Sequence, residues 1–262
     1  MRRVAGGIQV DMRETIREEL LAIERERGVR VLLAVESGSR AWGMASTDSD
    51  YDVRFVYARR EEDYLRLEDV RDTIEWRLDE TYDVVGWDLC KFMRLMRGSN
   101  PTVFEWLESP IVYCEAPAFG VVRGKAAECF SSKASAYHYL GMAKGEEKTY
   151  SKADRVGAKT YLYAMRAVLA AKWVLDRGTP APMELRELVD AVLDACMAPT
   201  VGRLLEVKSD GAEKCEVPRM PELEGWIAEE ASSLFDRARE AEAPKKTEWA
   251  ELDELFLKLV KG

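Results

Sequence analysis

One stretch constrains this chain more than any other. Val29-Arg30-Val31-Leu32-Leu33-Ala34-Val35 is an apolar run of the length of a buried strand. Gly38-Ser39 ends it, ten residues follow, and Asp50-Tyr51-Asp52 opens a second run rich in Val, Tyr and Phe that reaches Tyr57. Side chains two apart on a strand point the same way. Asp50 and Asp52 therefore converge on one face, while Tyr51 and Val53 pack on the other. Two ionised carboxylates side by side repel each other unless a cation sits between them. Hard oxygen ligands of this kind suit Mg²⁺, which takes one or two carboxylates plus substrate phosphates. Gly38 lets the backbone approach a phosphate closely, and Ser39 with the helical turn after it can donate hydrogen bonds to it. Arg40 adds a bidentate partner for phosphate oxygens.

Two other sites could be built from the same residues, and both fail on a named position. Gly38 and Gly43 have the spacing of a phosphate-binding P-loop, but Met44-Ala45 stand where Lys-Ser/Thr is required. Asp48, Asp50 and Asp52 fit the first three ligand positions of a calcium loop. Its sixth position needs glycine and has Val53, and its twelfth needs glutamate and has Arg59. A strand, a Gly-Ser turn and a second strand carrying D-x-D is the pattern that remains.

The surrounding chain divides into two textures. Asp11 to Arg27 reads as a helix with capping-box spacing at Asp11 and Glu14, an apolar face of Ile16, Leu20 and Ile23, and Gly28 after its end. A short helical turn is expected over Arg40 to Ala45. Thr73–Leu78 and Thr81–Trp87 read as a hairpin around Asp79-Glu80. Leu89 to Arg97 reads as a helix capped by Asp88, Ser99-Asn100-Pro101 breaks it, and Pro101 starts the next. Ile111 to Cys114 is a last strand. Beyond about residue 117 the composition is helical, with breaks at Gly178, Pro180, Pro182, Gly211, Pro218 and Pro221. The expectation is an α/β domain over 1–116, with a mixed sheet and flanking helices, followed by an all-helical domain over 117–262 that completes the cleft.

Composition closes off several function classes. Hydrophobic residues make up 47% and charged residues 33%, as in ordinary globular proteins. No apolar run is long enough to span a bilayer, so no membrane partner is expected. Residues 1–7 carry two arginines without an apolar stretch after them, unlike a secretory signal. A cytoplasmic location is the expectation. Cys90, Cys114, Cys129, Cys196 and Cys215 are scattered and odd in number, which argues against a disulfide framework or a zinc site. His138 is the single histidine, so a histidine-based triad would have to use it, and nothing near it supports that. The net charge of −9 lowers the expectation of extensive duplex binding but allows a nucleic-acid end in a local basic groove.

The G-S…D-x-D segment resembles the signature of the DNA polymerase β nucleotidyltransferase superfamily. The likeness extends over Ser37-Gly38-Ser39-Arg40-Ala41-Trp42-Gly43, Ser49-Asp50-Tyr51-Asp52-Val53-Arg54, Asp83-Val84-Val85-Gly86-Trp87-Asp88-Leu89, and Ser99-Asn100-Pro101 with Glu105-Trp106-Leu107-Glu108-Ser109-Pro110. These are similar to the RNA-repair-pathway polymerase β-like family, over about residues 29–190. The resemblance implies a polymerase β-like sheet, two Mg²⁺ ions (with Mn²⁺ as a substitute), an NTP donor and an RNA end as acceptor. Two-metal transfer needs a third acid from a neighbouring strand. Glu75, Asp79, Asp83 and Asp88 are candidates. Asp83 lies between apolar neighbours inside a strand and is preferred, whereas Asp88 is better explained as a helix cap.

In the helical half, Lys148, Lys152, Arg155, Lys159 and Arg166 follow steps of four, three, four and seven. They would share one face of a continuous helix, with Tyr150, Tyr161 and Tyr163 interleaved, although Gly157 weakens that continuity. Read without the resemblance, this is a solvated helix face. The stretch Lys159 to Arg166 resembles a K-x-Y-x-Y-x-x-R helix of the family, which implies nucleotide contacts for Lys159 and Arg166 and brings Tyr163 near them. Asn100, with Ser99, sits in a polar loop that can also face the cleft. Expected activity is nucleotidyl transfer to an RNA end. Transfer to a small molecule or a protein side chain is an alternative that the acidic charge favours, and an inactive nucleotide-binding module is a third.

Overall fold

Asp11 caps the first helix: its carboxylate accepts from the Arg13 amide at 3.0 Å, which satisfies one of the donors a helix start leaves unpaired. That helix, α1 (Met12–Arg27), stops at Gly28 in the left-handed region, φ 63°. The computed structural model describes residues 11–46, 49–78, 81–151, 154–210, 215–243 and 247–262. The expectations for residues 1–7, the Asp79-Glu80 turn, Lys152 and the break at Gly211 lie outside these residues.

The chain continues as β1 (Arg30–Glu36), α2 (Gly38–Ala41), β2 (Tyr51–Ala58), α3 (Glu61–Tyr64), β3 (Thr73–Leu78) and β4 (Tyr82–Asp88). Then come α4 (Leu89–Arg97), α5 (Pro101–Leu107), β5 (Val112–Glu115) and α6 (Gly120–Cys129). The helical turn begins at Gly38, two residues earlier than expected, because the Trp42 amide already reaches the Gly38 carbonyl at 3.0 Å. Five strands form one mixed sheet in the order β3-β4-β2-β1-β5. β2 and β4 run parallel, and the other neighbours are antiparallel.

The two faces of the sheet are covered by different helices. Ile16, Leu20 and Ile23 of α1 pack with Val31, Val53, Phe55, Tyr57 and Val84. Val56 and Ala58 pack on the opposite face with Phe92, Met96 and Trp106. The alternation of β2 thus turns Val53, Phe55 and Tyr57 to α1, and puts Asp52 and Arg54 on the side of Val56 and Ala58.

The second half holds α7 (Ser132–Tyr150), β6 (Arg155–Gly157), α8 (Ala158–Arg177), α9 (Leu185–Val192), α10 (Ala198–Asp210), β7 (Glu216–Pro218), α11 (Pro221–Glu240) and α12 (Trp249–Lys261). The expectation of helices alone is corrected here. β6 pairs antiparallel with β7, a three-residue contact between segments sixty residues apart that local periodicity cannot reveal. The same pair ends the expected continuous basic helix. Lys148 lies on α7, Arg155 on β6, and Lys159 and Arg166 on α8, so no single helical face carries them.

α8 is the axis of this half, buried on nearly every side. Its core includes Ala41, Trp42 and Met44 from the segment after Gly38-Ser39, and the Leu185 amide donates to the Trp42 carbonyl at 3.0 Å. Helix α12 returns to the first half, where Leu252 and Leu259 join the core of α4. Among the described residues no helix is long and apolar enough to cross a membrane.

Candidate active site

Two strands bring the acids together. Parallel pairing of β2 with β4 sets Asp52 opposite Asp83, and Tyr51 opposite Tyr82. Asp50 sits just before β2, where its carbonyl accepts from Arg40 Nε at 2.9 Å. Arg40 Nη2 also donates to the Ser49 carbonyl at 2.7 Å, and its guanidinium lies 3.8 Å from the Tyr51 ring centroid. Arg40 is thereby a clamp on the loop that delivers Asp50.

Gly38 meets Asp52 directly. Its φ is 57°, and a Cβ there would lie 1.9 Å from Asp52 Oδ2. Conformation and space both require glycine. Gly38→Ala is expected to leave a folded protein, at a strain cost of about 1–2 kcal/mol for the left-handed backbone. It displaces the Asp52 carboxylate, and a shift of about 1 Å at a reacting centre costs on the order of a hundred-fold in rate. Turnover per folded molecule, beside a thermal melt, checks this.

Arg54 holds the carboxylates in place. Its Nη2 donates to Asp52 Oδ1 at 3.1 Å and to Asp83 Oδ2 at 2.6 Å, and its Nη1 donates to the Asp83 carbonyl at 2.7 Å. The Asp52 carboxyl is still pushed above its ordinary range. Burial is the main cause, Asp50 and Asp83 add to it, and Arg54 and Lys159 oppose it. Asp83 Oδ1 is buried and has no hydrogen-bond partner among the described residues. An orphaned acceptor beside a carboxylate whose charge is disfavoured is a fit for a divalent cation. Among the described residues no three acidic, histidine or cysteine side chains form a ready-made cage. Mg²⁺ does not need one, because it completes its shell with water and phosphate oxygens.

Glu36, at the end of β1, is fully buried. Its Oε1 accepts from the Asp52 amide at 2.9 Å, and its Oε2 accepts from the Tyr113 hydroxyl. Burial pushes its carboxyl up to about 7, against the opposing effect of these two hydrogen bonds. Between the ordinary glutamate value and about 7, the folded state therefore binds more protons than the unfolded state. Stability must fall as pH rises through that window, by on the order of 3 kcal/mol at 1.36 kcal/mol per unit. Thermal melts from pH 5 to 7.5 should show this decline, and Glu36→Gln should flatten it.

The remaining expected site residues separate into two groups. Lys159, on the first turn of α8, lies close enough for its charge to favour ionised Asp52, and its ammonium stands 5.3 Å from the Tyr163 ring centroid. Tyr163 in turn meets Trp42 edge-on at 4.8 Å. Ser39 is buried in α2 beside Gly38. These stay with the acids. Arg166 does not: it is 1% exposed and ion-paired to Glu105 at 3.0 Å. Asn100 caps α5 through the Thr102 amide at 3.0 Å. Asp88 caps α4 through the Cys90 amide at 2.8 Å and pairs with Arg59 at 3.1 Å. It lies five residues along β4 from Asp83, about 16 Å away and on the other face. Glu75 pairs with Arg71 in an exposed bridge, and Asp79 is outside the described residues.

Three residues escaped the sequence reasoning. Arg54 carried a signal, since its spacing from Asp52 puts both on one face. Glu36 is an acid closing an apolar run. Lys208 shares the face of Val201 and Leu204 on α10, is 2% exposed, and donates to Ser46 Oγ at 3.4 Å. Ser46 and Ser49 bond each other at 3.0 Å, so the helical half braces the loop before Asp50.

The family model described as the RNA repair pathway DNA polymerase beta family matches residues 12–258, a longer span than the 29–190 expected from the motifs. An uncharacterized protein of Bacillus subtilis (strain 168), YcgL, is 39% identical over 251 residues, covering 95% of this chain and 96% of that protein. A crystal structure of a nucleotidyltransferase-like protein from Exiguobacterium sibiricum 255-15 shows 14% identity and a TM-score of 0.32, over 96% of this chain and 89% of its own. The match, running from the start of α1 into α12, shows that the chain belongs to the RNA repair pathway DNA polymerase beta family.

Proposed function

We propose that this protein is a Mg²⁺-dependent nucleotidyltransferase that moves an NMP from an NTP to an acceptor hydroxyl, with an RNA end as the acceptor. The observation that carries it is Asp52 standing beside Asp83 across β2 and β4, with Gly38 against Asp52 Oδ2. Asp50, Asp52 and Asp83 are the residues that would hold two Mg²⁺ ions, with Mn²⁺ as a substitute. Metals bound there would supply Lewis acidity toward the attacking hydroxyl and charge neutralisation for the leaving pyrophosphate.

The chain's own contribution is positioning and charge. Gly38 lets the backbone at Ser39 and Arg40 approach the triphosphate. Lys159 brings an ammonium whose field already reaches Asp52, and it meets the phosphate charge. Arg54 keeps Asp52 and Asp83 in register. The acceptor oxygen attacks the α-phosphorus in line, its bond forms as the bond to pyrophosphate breaks, and its proton leaves toward the Asp83 carboxylate.

The RNA acceptor is supported by the family description. A net charge of −9 supports a second acceptor class, a small molecule or a protein side chain, since extended RNA contacts draw on a basic surface. Incubation with each labelled NTP and Mg²⁺, with and without tRNA, separates them. Label on RNA is the expected result. Label on protein or a small acceptor selects the second class, and neither transfer nor metal-dependent NTP binding rejects the enzyme.

A further inference from the structure

The strands β1 and β2 part company at the residue that matters most. Their register pairs Glu36 with Val53, and one step further it opposes Ser37 to Asp52. Such a hydrogen-bonded antiparallel pair normally exchanges two bonds. Only one of the two is present: the Ser37 amide donates to the Asp52 carbonyl at 2.8 Å. The Ser37 carbonyl has turned into α2, where the Ala41 amide approaches it at 3.5 Å. The Asp52 amide is thus abandoned by the strand that should pair with it, as the cost of bending the chain into Gly38-Ser39. Glu36 Oε1 takes that amide at 2.9 Å.

Glu36 is in turn fixed from three directions. The Tyr113 hydroxyl on β5 donates to its other oxygen. Its amide donates to the Ile111 carbonyl at 2.9 Å, and its carbonyl accepts from Ser109 Oγ at 2.6 Å. Its neighbours Val53 and Tyr113 belong to an apolar core, where an apolar side chain of similar size would be cheaper to bury. A carboxylate here makes sense because of the amide it holds.

The geometry points to Glu36, oriented by Tyr113, as a positioning residue for Asp52. It lets β1 leave the sheet at Ser37 without freeing the backbone of the carboxylate that faces Gly38. Glu36 does not touch substrate. It acts through the Asp52 main chain, and this role rests on Asp52 being a metal ligand.

The test compares Glu36→Ala, Glu36→Gln and Tyr113→Phe with wild type by three measurements: hydrogen exchange at the Asp52 amide, Mn²⁺ binding by electron paramagnetic resonance, and NTP transfer. Loss of a residue that orients a metal ligand costs about 10–100-fold in metal affinity. Glu36→Ala should weaken Mn²⁺ binding by that factor, lower kcat with little change in the NTP KM, and expose the Asp52 amide while Phe55 and Val56 stay protected. Glu36→Gln retains an acceptor oxygen and should recover most of the loss. If Glu36→Ala fails to fold, Tyr113→Phe carries the test, with Mn²⁺ binding weakened several-fold. Wild-type Mn²⁺ affinity in the folded variants, or an Asp52 amide that stays protected in Glu36→Ala, overturns the role. A wild type that binds no Mn²⁺ overturns the metal-site reading instead, and the exchange data then decide the positioning of Asp52 by themselves.

Discussion

Asp52→Asn is expected to lower nucleotidyl transfer about a thousand-fold while leaving the protein at least as stable as wild type. A metal ion stabilises the charge of a transferring phosphoryl group by several kcal/mol, and each 1.36 kcal/mol is a factor of ten in rate. Asparagine keeps the shape of the side chain and can keep an oxygen toward Arg54, which now lies 3.1 Å from Asp52 Oδ1. It removes a charge that burial, Asp50 and Asp83 all disfavour. Buried carboxylates held against like charges are costs to the fold, and neutralising one removes that cost. The signature is therefore lost activity with an unchanged or raised melting temperature. Single-turnover transfer and a thermal melt on the same preparation measure both.

Arg166→Ala should give the opposite signature. The guanidinium is buried, donates to Glu105 Oε1 at 3.0 Å and to the Met183 carbonyl at 3.2 Å, and lies 4.2 Å from the Trp42 ring centroid. Glu105 also accepts from the Tyr139 hydroxyl at 3.1 Å. Removing the arginine leaves Glu105 without its buried counter-charge, which costs about 3–5 kcal/mol. At about 2–4 °C per kcal/mol for a chain of this size, the melting temperature should fall by about 10 °C. The NTP KM of the folded fraction should not move. A double replacement of Arg166 and Glu105 by apolar residues should recover much of the loss. A raised KM with an unchanged melt would instead return Arg166 to the nucleotide.

Arg166 also shows where a sequence stops being legible. Lys159 and Arg166 are seven residues apart, nearly two turns, and so share a face of α8. They differ by about 10 Å in depth along the helix axis. Lys159 opens the helix near Asp52, whereas Arg166 lies deeper, against Glu105 of α5, the Met183 carbonyl and the Trp42 ring. Spacing reports the face and is silent about depth. The elements governed by local rules were readable: the Asp11 cap, the Gly28 stop, the Asp88 cap of α4, and the apolar strands on either side of Gly38-Ser39. The placement of Asp83 on a strand was readable from its apolar neighbours Tyr82 and Val84. Glu36, Lys208 and the β6–β7 pair depend on partners distant in sequence, and their geometry exists only after the chain has folded.

Transfer from an α-labelled NTP, with Mg²⁺ and with the metal chelated, tests the central claim most directly when wild type is compared with the double variant Asp50→Asn, Asp52→Asn. Wild type should label an acceptor and release pyrophosphate only with the metal present, and the double variant should do neither at a detectable rate. Full, metal-dependent transfer by the double variant would contradict the assignment of these carboxylates.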